Sequence, residues 1–330
     1  MLCFASFCLQ LCLITLLLPG SVTTTVAQQS ADDEEVVRVN TDLLLFPIRI
    51  RDKKGQAIAG LTEQDLALKD QDQVTTGVYF SPGADRVAML FALDQSGSLR
   101  EVISQQQDAA LALFSRFSDR SSIAVLRFSD RPTLATPFTN DVDAARAAFK
   151  FYAERDRRTA IFDAAAEAVR AFDKLPPVRA ERRIIVLISD GLDNSSKTRA
   201  DSVIDAALDR RVSFYVIHLP LFEPRNGHLA PRPTSKGFRE LAEKTGGKFF
   251  LGADVKSALQ PRAIDLAPIF QAIEDDLKSQ YLLGFYIADS SRDNRKHVFS
   301  VSLKPQGAEY SVGRLGFSRS HKFMVNLSPK

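Results

Sequence analysis

Two uninterrupted apolar runs, Val87 to Leu93 and Ile184 to Ile188, constrain this chain more than any other feature. Neither alternates with polar residues, so each reads as a strand covered on both faces, as in the middle of a parallel sheet. Shorter apolar strands follow at Ile123 to Phe128, Phe214 to Ile217 and Lys248 to Leu251. Between the strands, apolar residues recur at helical spacing. Leu99, Val102, Ile103, Gln106, Ala110, Leu113 and Phe117 mark one helix, and Ala160 to Phe172, Ala200 to Leu208 and Phe238 to Lys244 mark others. A final helical stretch carries Leu266, Ile269, Phe270, Ile273 and Leu277. Strands alternating with helices require right-handed crossovers. The fold class expected for residues 86–278 is therefore α/β, a doubly wound and mostly parallel sheet with helices on both faces. Ligands of such sheets sit beyond the carboxyl ends of the strands, where strand order reverses.

The ends of the chain read as β. Leu44, Phe46, Ile48 and Ile50 alternate with Leu45, Pro47, Arg49 and Arg51, which gives a strand with one buried face, and Pro47 favours an edge position. Short strands are predicted near Leu66 to Lys69 and Val74 to Phe80, and in the tail at Leu282 to Ile287, Val298 to Leu303 and Tyr310 to Phe317. Neither set buries a core alone. One small β-sandwich made from both ends, with the α/β domain inserted in it, is the expected arrangement; two separate β subdomains are the alternative. The predicted organisation is a signal peptide at 1–27, a linker at 28–35, an N-terminal β segment at 36–82, the α/β domain at 86–278, a C-terminal β segment at 279–320 and a tail at 321–330.

The first 27 residues hold no Lys, Arg, Asp or Glu, and the nearly apolar Leu9 to Leu18 precedes Pro19-Gly20 and Thr25-Val26-Ala27. This pattern predicts secretion, to the periplasm or beyond, with cleavage after Ala27. Leu2 to Leu18 approaches the length that spans a bilayer, so an N-terminal membrane anchor is the alternative. Cys3, Cys8 and Cys12 all lie in this segment, which leaves a mature chain without thiol or disulfide chemistry. A net charge of +3 in 330 residues is too small to point to nucleic acid. The basic clusters at Arg155 to Arg158, Arg179 to Arg183 and Arg225 to Lys236 have no aromatic ladder and read as solvated surface.

The strand Val87 to Leu93 ends in Asp94-Gln95-Ser96-Gly97-Ser98. One carboxylate followed by hydroxyls two and four residues later, on a turn into a helix, can aim three hard oxygens at one cation. Such donors suit Mg²⁺, Mn²⁺ or Ca²⁺ better than zinc or copper. In isolation the same residues are ordinary for turns and helix N-caps. They are joined by Arg158-Thr159-Ala160-Ile161-Phe162-Asp163 at the head of a helix, and by Ser189-Asp190-Gly191 at the end of the second apolar run. The candidate metal ligands are thus Asp94, Ser96, Ser98, Thr159 and Asp190.

That set, in that order, resembles the metal-ion-dependent adhesion site of von Willebrand factor A domains. Phe128-Ser129 after a strand, Asp163 after the threonine, and Lys244-Thr245-Gly246-Gly247-Lys248-Phe249-Phe250 before the last strand extend the likeness. Gly60-Leu61-Thr62-Glu63-Gln64-Asp65 and Gln280-Tyr281-Leu282-Leu283-Gly284-Phe285 are similar to segments of a bacterial subgroup, the VWFA-related domain proteins frequent in Acidobacteria. Leu99 stands where methionine is usual, and Arg158 where glycine is usual. The resemblance implies that Ser96, Ser98 and Thr159 ligate through hydroxyls, and that Asp94 and Asp190 act directly or through water. It also implies that Asp163 braces the threonine loop.

Catalytic motifs are weak. Ser96 lacks a glycine elbow, and no motif places His218, His228, His297 or His321 as its base. Lys244-Thr245-Gly246 matches a fragment of the β-lactamase signature without its other elements and reads as a turn. Asp193 and Asn194 fit turn chemistry. The expectation is a non-enzymatic, divalent-metal-dependent binding or adhesion protein. Its partner would be a protein or acidic glycan whose carboxylate completes the coordination, with Arg155, Arg157 and Arg158 adding positive potential. A metal-assisted extracellular hydrolase, or a scaffold with a structural or empty site, are the other readings.

Overall fold

A computed structural model describes residues 42–52, 57–58, 60–70, 73–74, 78–84, 86–95, 99–117, 119–150, 158–176, 181–253, 264–287, 296–303, 310–314 and 322–326. The predicted signal segment and linker lie outside them. Among the described residues no helix is long and apolar enough to cross a membrane.

The α/β part begins with β5 (Val87–Asp94), preceded in the chain by β1 (Asp42–Asp52), β2 (Leu66–Asp70), β3 (Gln73–Val74) and β4 (Val78–Pro82). It continues through α1 (Arg100–Gln105), α2 (Gln107–Phe114), β6 (Ser122–Phe128), β7 (Pro132–Thr139), α3 (Val142–Phe149), α4 (Ile161–Ala171), β8 (Arg182–Ser189) and α5 (Ala200–Asp209). Then come β9 (Val212–His218), a hairpin of β10 (Phe222–Arg225) and β11 (His228–Pro231), α6 (Phe238–Thr245), β12 (Phe249–Leu251) and α7 (Ala267–Lys278). The six-stranded sheet runs β12-β9-β8-β5-β6-β7, parallel except for the edge strand β7. The chain winds outward from β5 to β6 and returns to β8 on the other side, so strand order reverses between β5 and β8.

Every residue of β5 is buried, as its unbroken apolar run requires. Val87, Met89, Phe91 and Leu93 face a core with α1, α2, α3 and α7, while Ala88, Leu90 and Ala92 face a second core with α4, α5 and α6. At roughly 1.5–3 kcal/mol per large apolar side chain, these two cores supply the main driving force for the domain. The first helix is broken at Gln106. Its buried amide donates to Ile264 O (2.8 Å) and accepts from Leu266 N (2.9 Å), which ties the helix to the entry of α7.

The chain ends in β13 (Gln280–Ile287), β14 (Lys296–Leu303), β15 (Tyr310–Arg314) and β16 (Lys322–Asn326). Two four-stranded antiparallel sheets, β15-β1-β13-β4 and β16-β14-β2-β3, each combine strands from both ends of the chain. Ile48, Ile50 and Leu283 are buried in the first, and Leu66, Leu68 and Val301 in the second. The strand entering the α/β part, β4, pairs with the strand leaving it, β13, with Pro82 opposite Tyr281. Adjacent entry and exit are what allow a domain to be inserted in a sheet. β1 lies between β15 and β13 in strand order, yet Pro47 itself keeps the edge position that its residue type favours. β15 pairs only with Ile48–Asp52, so Pro47 lies beyond its reach, opposite Leu282 of β13. A last strand, β16, occupies part of the expected tail.

The junction between these sheets and the α/β part is held by a buried carboxylate. Asp276, near the end of α7, is fully enclosed and pairs with Arg49 of β1 and with Lys248 at 2.7 Å. It accepts hydrogen bonds from the Tyr215 hydroxyl of β9 (2.8 Å) and from Gln280 Nε2 (3.0 Å). Burial raises its pKa, but Arg49 and Lys248 outweigh that and hold the carboxyl below its ordinary value. Replacing Asp276 with Asn leaves Arg49 and Lys248 without a counter-charge, and the expected loss is about 3–5 kcal/mol in urea unfolding at neutral pH. Because the folded pKa is depressed, this stabilisation is present above the ordinary carboxylate range near 3.9 and is lost as pH falls below it. The gap between wild type and Asp276→Asn should therefore close on acidification, and a constant gap would contradict the charge assignment.

Candidate metal centre

The parallel register of β5 on β8 sets Leu93 beside Ile188, so Asp94 and Ser189 emerge side by side at the carboxyl rim. Ser189 Oγ donates to Asp94 Oδ2 at 2.7 Å and accepts from Gly191 N at 3.1 Å. Asp94, Ser189 and Asp190 are all buried. Gly191 turns the chain with φ 79°, and a Cβ there would lie 2.6 Å from the Thr234 methyl. A side chain at this position would push the Asp190 loop off its seat.

Thr159 is held from two sides. Next to it, Ala160 N donates to Ser129 O (2.7 Å), at the end of β6, the strand that flanks β5. On the other side, Thr159 N donates to Asn194 Oδ1 (2.8 Å) and Asn194 N donates back to Thr159 O (3.0 Å). The threonine loop thus spans from the end of β6 to the loop that follows Asp190. Both termini of this span border the ends of β5 and β8, so Asp94, Thr159 and Asp190 share one rim. Ser96 and Ser98 lie outside the described residues.

The first turn of α4 has no cap of its own at Ala160. Phe162 N instead donates to Asp193 Oδ2 and Ser196 Oγ, each at 3.0 Å. In return, Asp163 accepts from Lys197 N (3.1 Å) and Thr198 N (2.8 Å). Burial raises the Asp163 carboxyl, but the bonds from Thr198 and Lys197 prevail and hold it below its usual value. Ser235 completes the frame, its hydroxyl accepting from Asp193 N (2.8 Å) while its amide donates to Gly191 O (2.8 Å). Asp193 and Asn194 read from sequence as turn residues. Here they clamp the threonine loop to the aspartate loop.

The electrostatics favour a cation. Burial raises the Asp190 pKa, offset only in part by the Leu192 N–H and the charge of Arg232. Burial disfavours a lone negative charge on Asp190, and a cation beside it would remove that cost. Among the described residues no three His, Cys, Asp or Glu side chains converge. Further donors would have to be hydroxyls such as Thr159, a hard set that suits Mg²⁺, Mn²⁺ or Ca²⁺. Of the arginines expected at the rim, Arg158 is exposed and pairs with Asp130 at 3.3 Å, while Arg155 and Arg157 lie outside the described residues. Lys244-Thr245-Gly246 closes α6, with Thr245 Oγ1 donating to Leu241 O and Gly246 in the left-handed region.

The profile of the von Willebrand factor type A domain family matches residues 89–192, which run from β5 through Asp190. The α/β core of this chain is a von Willebrand factor type A domain. Such domains commonly mediate metal-dependent protein interactions and are typically non-catalytic. Curated proteins yield no match to the chain. Among solved structures, an aerotolerance-related membrane protein from Bacteroides fragilis is 18% identical over 58% of this chain and 98% of its own, with a TM-score of 0.44. Proximal thread matrix protein 1 from the mussel byssus, in a form with a zinc-occupied MIDAS motif, is 15% identical over 64% of this chain and 50% of its own, TM-score 0.47. A von Willebrand factor type A protein from Catenulispora acidiphila is 13% identical over 87% of this chain and 74% of its own, TM-score 0.45.

If Asn194 sets the threonine loop of this A domain, Asn194→Ala leaves the Thr159 amide without its acceptor at a cost of about 1–3 kcal/mol. Hydrogen exchange across residues 158–163 should accelerate while β5 stays protected. Unchanged protection in that span would show that the loop is set by other contacts.

Proposed function

We propose that this A domain binds a divalent cation through Asp94, Ser96, Ser98, Thr159 and Asp190, and uses it to hold a carboxylate of a protein or acidic glycan partner. Mg²⁺ is the preferred ion, with Mn²⁺ and Ca²⁺ as alternatives. The observation that carries this reading is the pair of buried carboxylates, Asp94 and Asp190, at adjacent strand ends beside a threonine loop clamped to both strands' surroundings. When bound, the ion supplies an electrophilic centre, because hydroxyl and water ligands neutralise it poorly and leave it seeking an anionic oxygen. The protein's part is to hold the donors in place. Asp94 is oriented by the Ser189 hydroxyl, Thr159 by Asn194, and Asp190 by the Leu192 amide and the Gly191 turn.

A binding role fits the disposition of His218 as well. Its Nε2 lies 3.0 Å from the Asp190 carbonyl, its ring packs edge-on against Phe238, and burial lowers its pKa. The carbonyl can only accept, so Nε2 carries the proton of this contact and is not the basic nitrogen a hydrolase at this rim would use. The N-terminal apolar segment supports a secreted or periplasmic location.

Titration calorimetry of the chain with Mg²⁺ should give one binding event that Asp94→Ala abolishes. Equal binding by both proteins would remove the basis of this function. The ion is expected to serve binding more than folding, since β5 and β8 are buried by apolar packing that does not involve it. Chelation should lower the melting temperature only modestly, in line with mass-action stabilisation of about 2.7 kcal/mol at a hundredfold excess over the dissociation constant. Global unfolding on chelation would instead mark the ion as structural.

A further inference from the structure

The first residue of β8 is a buried charge without a partner. Side chains alternate along a strand, so Arg182 shares a face with Ile184, Val186 and Ile188, the face that looks into the core covered by α7. Its backbone is fixed where the chain enters the central sheet: Arg182 N donates to Arg86 O at 3.0 Å, and Val87 of β5 lies beside it. Only 6% of the residue is exposed. Its Nε and Nη2 are both buried and have no hydrogen-bond partner among the described residues.

The carboxylates of this region are spent elsewhere. Glu181, the preceding residue, accepts from Arg86 Nε at 2.9 Å and lies 3.8 Å from Arg183. Asp276 is taken by Arg49 and Lys248. Two phenols act on Arg182 from nearby, Tyr215 of β9 and Tyr79 of β4, but a phenol is no counter-charge at neutral pH. The Tyr215 hydroxyl is moreover engaged, donating to Asp276 (2.8 Å) and accepting from Gln280 Nε2 (3.0 Å). Burial pushes the guanidinium pKa down to about 10, which still leaves it protonated at neutral pH. Buried charges in folded proteins are paired or held by an ion.

The two free donors are on the same edge of the side chain. Nε–H and one Nη2–H run parallel there, the fork that matches two oxygens of a carboxylate, phosphate or sulfate. A water in that place leaves the charge unbalanced. We propose that this edge of Arg182 binds a small oxyanion at the amino end of β8, where β4 leads into the central sheet. The enclosure of the side chain limits the ligand to a compact group such as phosphate, sulfate or acetate. Arg182 and Ser189 stand at opposite ends of β8, about 23 Å apart at roughly 3.3 Å per residue, so the site is separate from the metal rim. Tyr79 belongs to a flanking sheet and Arg182 to the central one, so an anion held here bears on how firmly the two are joined.

The test follows melting of the full chain in EDTA at fixed ionic strength, with chloride exchanged stepwise for phosphate, sulfate or acetate. At least one of the three should raise the melting temperature along a saturating curve, as a ligand of the folded state does. Arg182→Met should lose the saturating part and keep only the unsaturated rise that excluded salts give any protein. Where Arg182→Met does not fold, Arg182→Lys keeps the charge without the fork, and its half-saturating concentration should be about tenfold higher or more. Crystals grown with selenate should show an anomalous selenium peak within about 4 Å of Arg182 Cζ. Curves unchanged by the substitution, or no saturating response to any of the three anions, would overturn the proposal. So would selenium peaks confined to other places, an adventitious ion only, or a carboxylate of the chain itself seated on the fork.

Discussion

The parallel pairing of β5 with β8 is the constraint from which the rest follows. Seven residues of β5 are in register with β8, Val87 with Arg182 through Leu93 with Ile188. A slip of one residue would exchange the two cores and separate Asp94 from Ser189. The register is fixed because the two cores take different side chains, Met89, Phe91 and Leu93 on one face of β5 and Ala88, Leu90 and Ala92 on the other, so a shift misplaces several at once. The rim inherits this precision. Asp94 and Ser189 are hydrogen-bonded because the strands that carry them cannot slide.

The opposite pole is governed by a different kind of interaction. Asp276 gathers Arg49, Lys248, Tyr215 and Gln280 from four separate stretches of chain around one enclosed carboxylate. Such a cluster adds little net stability relative to apolar packing, but breaking it is costly, so it fixes geometry more than it deepens the energy well. Its consequence is that the carboxyl end of α7 is tied both to the central sheet and to β1. The first helix and the flanking sheets are therefore joined through packed elements, with α7 as the shared member.

Much of this was legible in the residues because the signals are local. Unbroken apolar runs gave the central strands, helical spacing gave α4, α5, α6 and α7, and strand ends gave Asp94 and Asp190 their place at the rim. β7 and α3 were not legible: Pro132–Thr139 mixes prolines and threonines, and Val142–Phe149 is short and rich in alanine. The clamp on Thr159 was hidden because Asn194 acts on a residue 35 positions away, and turn chemistry explains an Asp-Asn pair equally well. Asp276 was hidden more deeply, since its partner Arg49 is 227 residues distant and helical periodicity marks only the apolar face of α7. Pro47 speaks only for its own position, because β1 pairs with both β13 and β15 at Ile48 and Arg49 alone.

The central claim is that Asp94, Thr159 and Asp190 form one metal centre with Ser96 and Ser98. The most direct measurement is anomalous diffraction from crystals grown with Mn²⁺. The account predicts a single strong peak at the carboxyl rim of β5 and β8, within about 2.5 Å of at least one oxygen from Asp94 or Asp190 or of waters bound to them, and of the Thr159 hydroxyl. Ordered Mn²⁺ elsewhere with this rim lacking a peak at saturating concentration would contradict it.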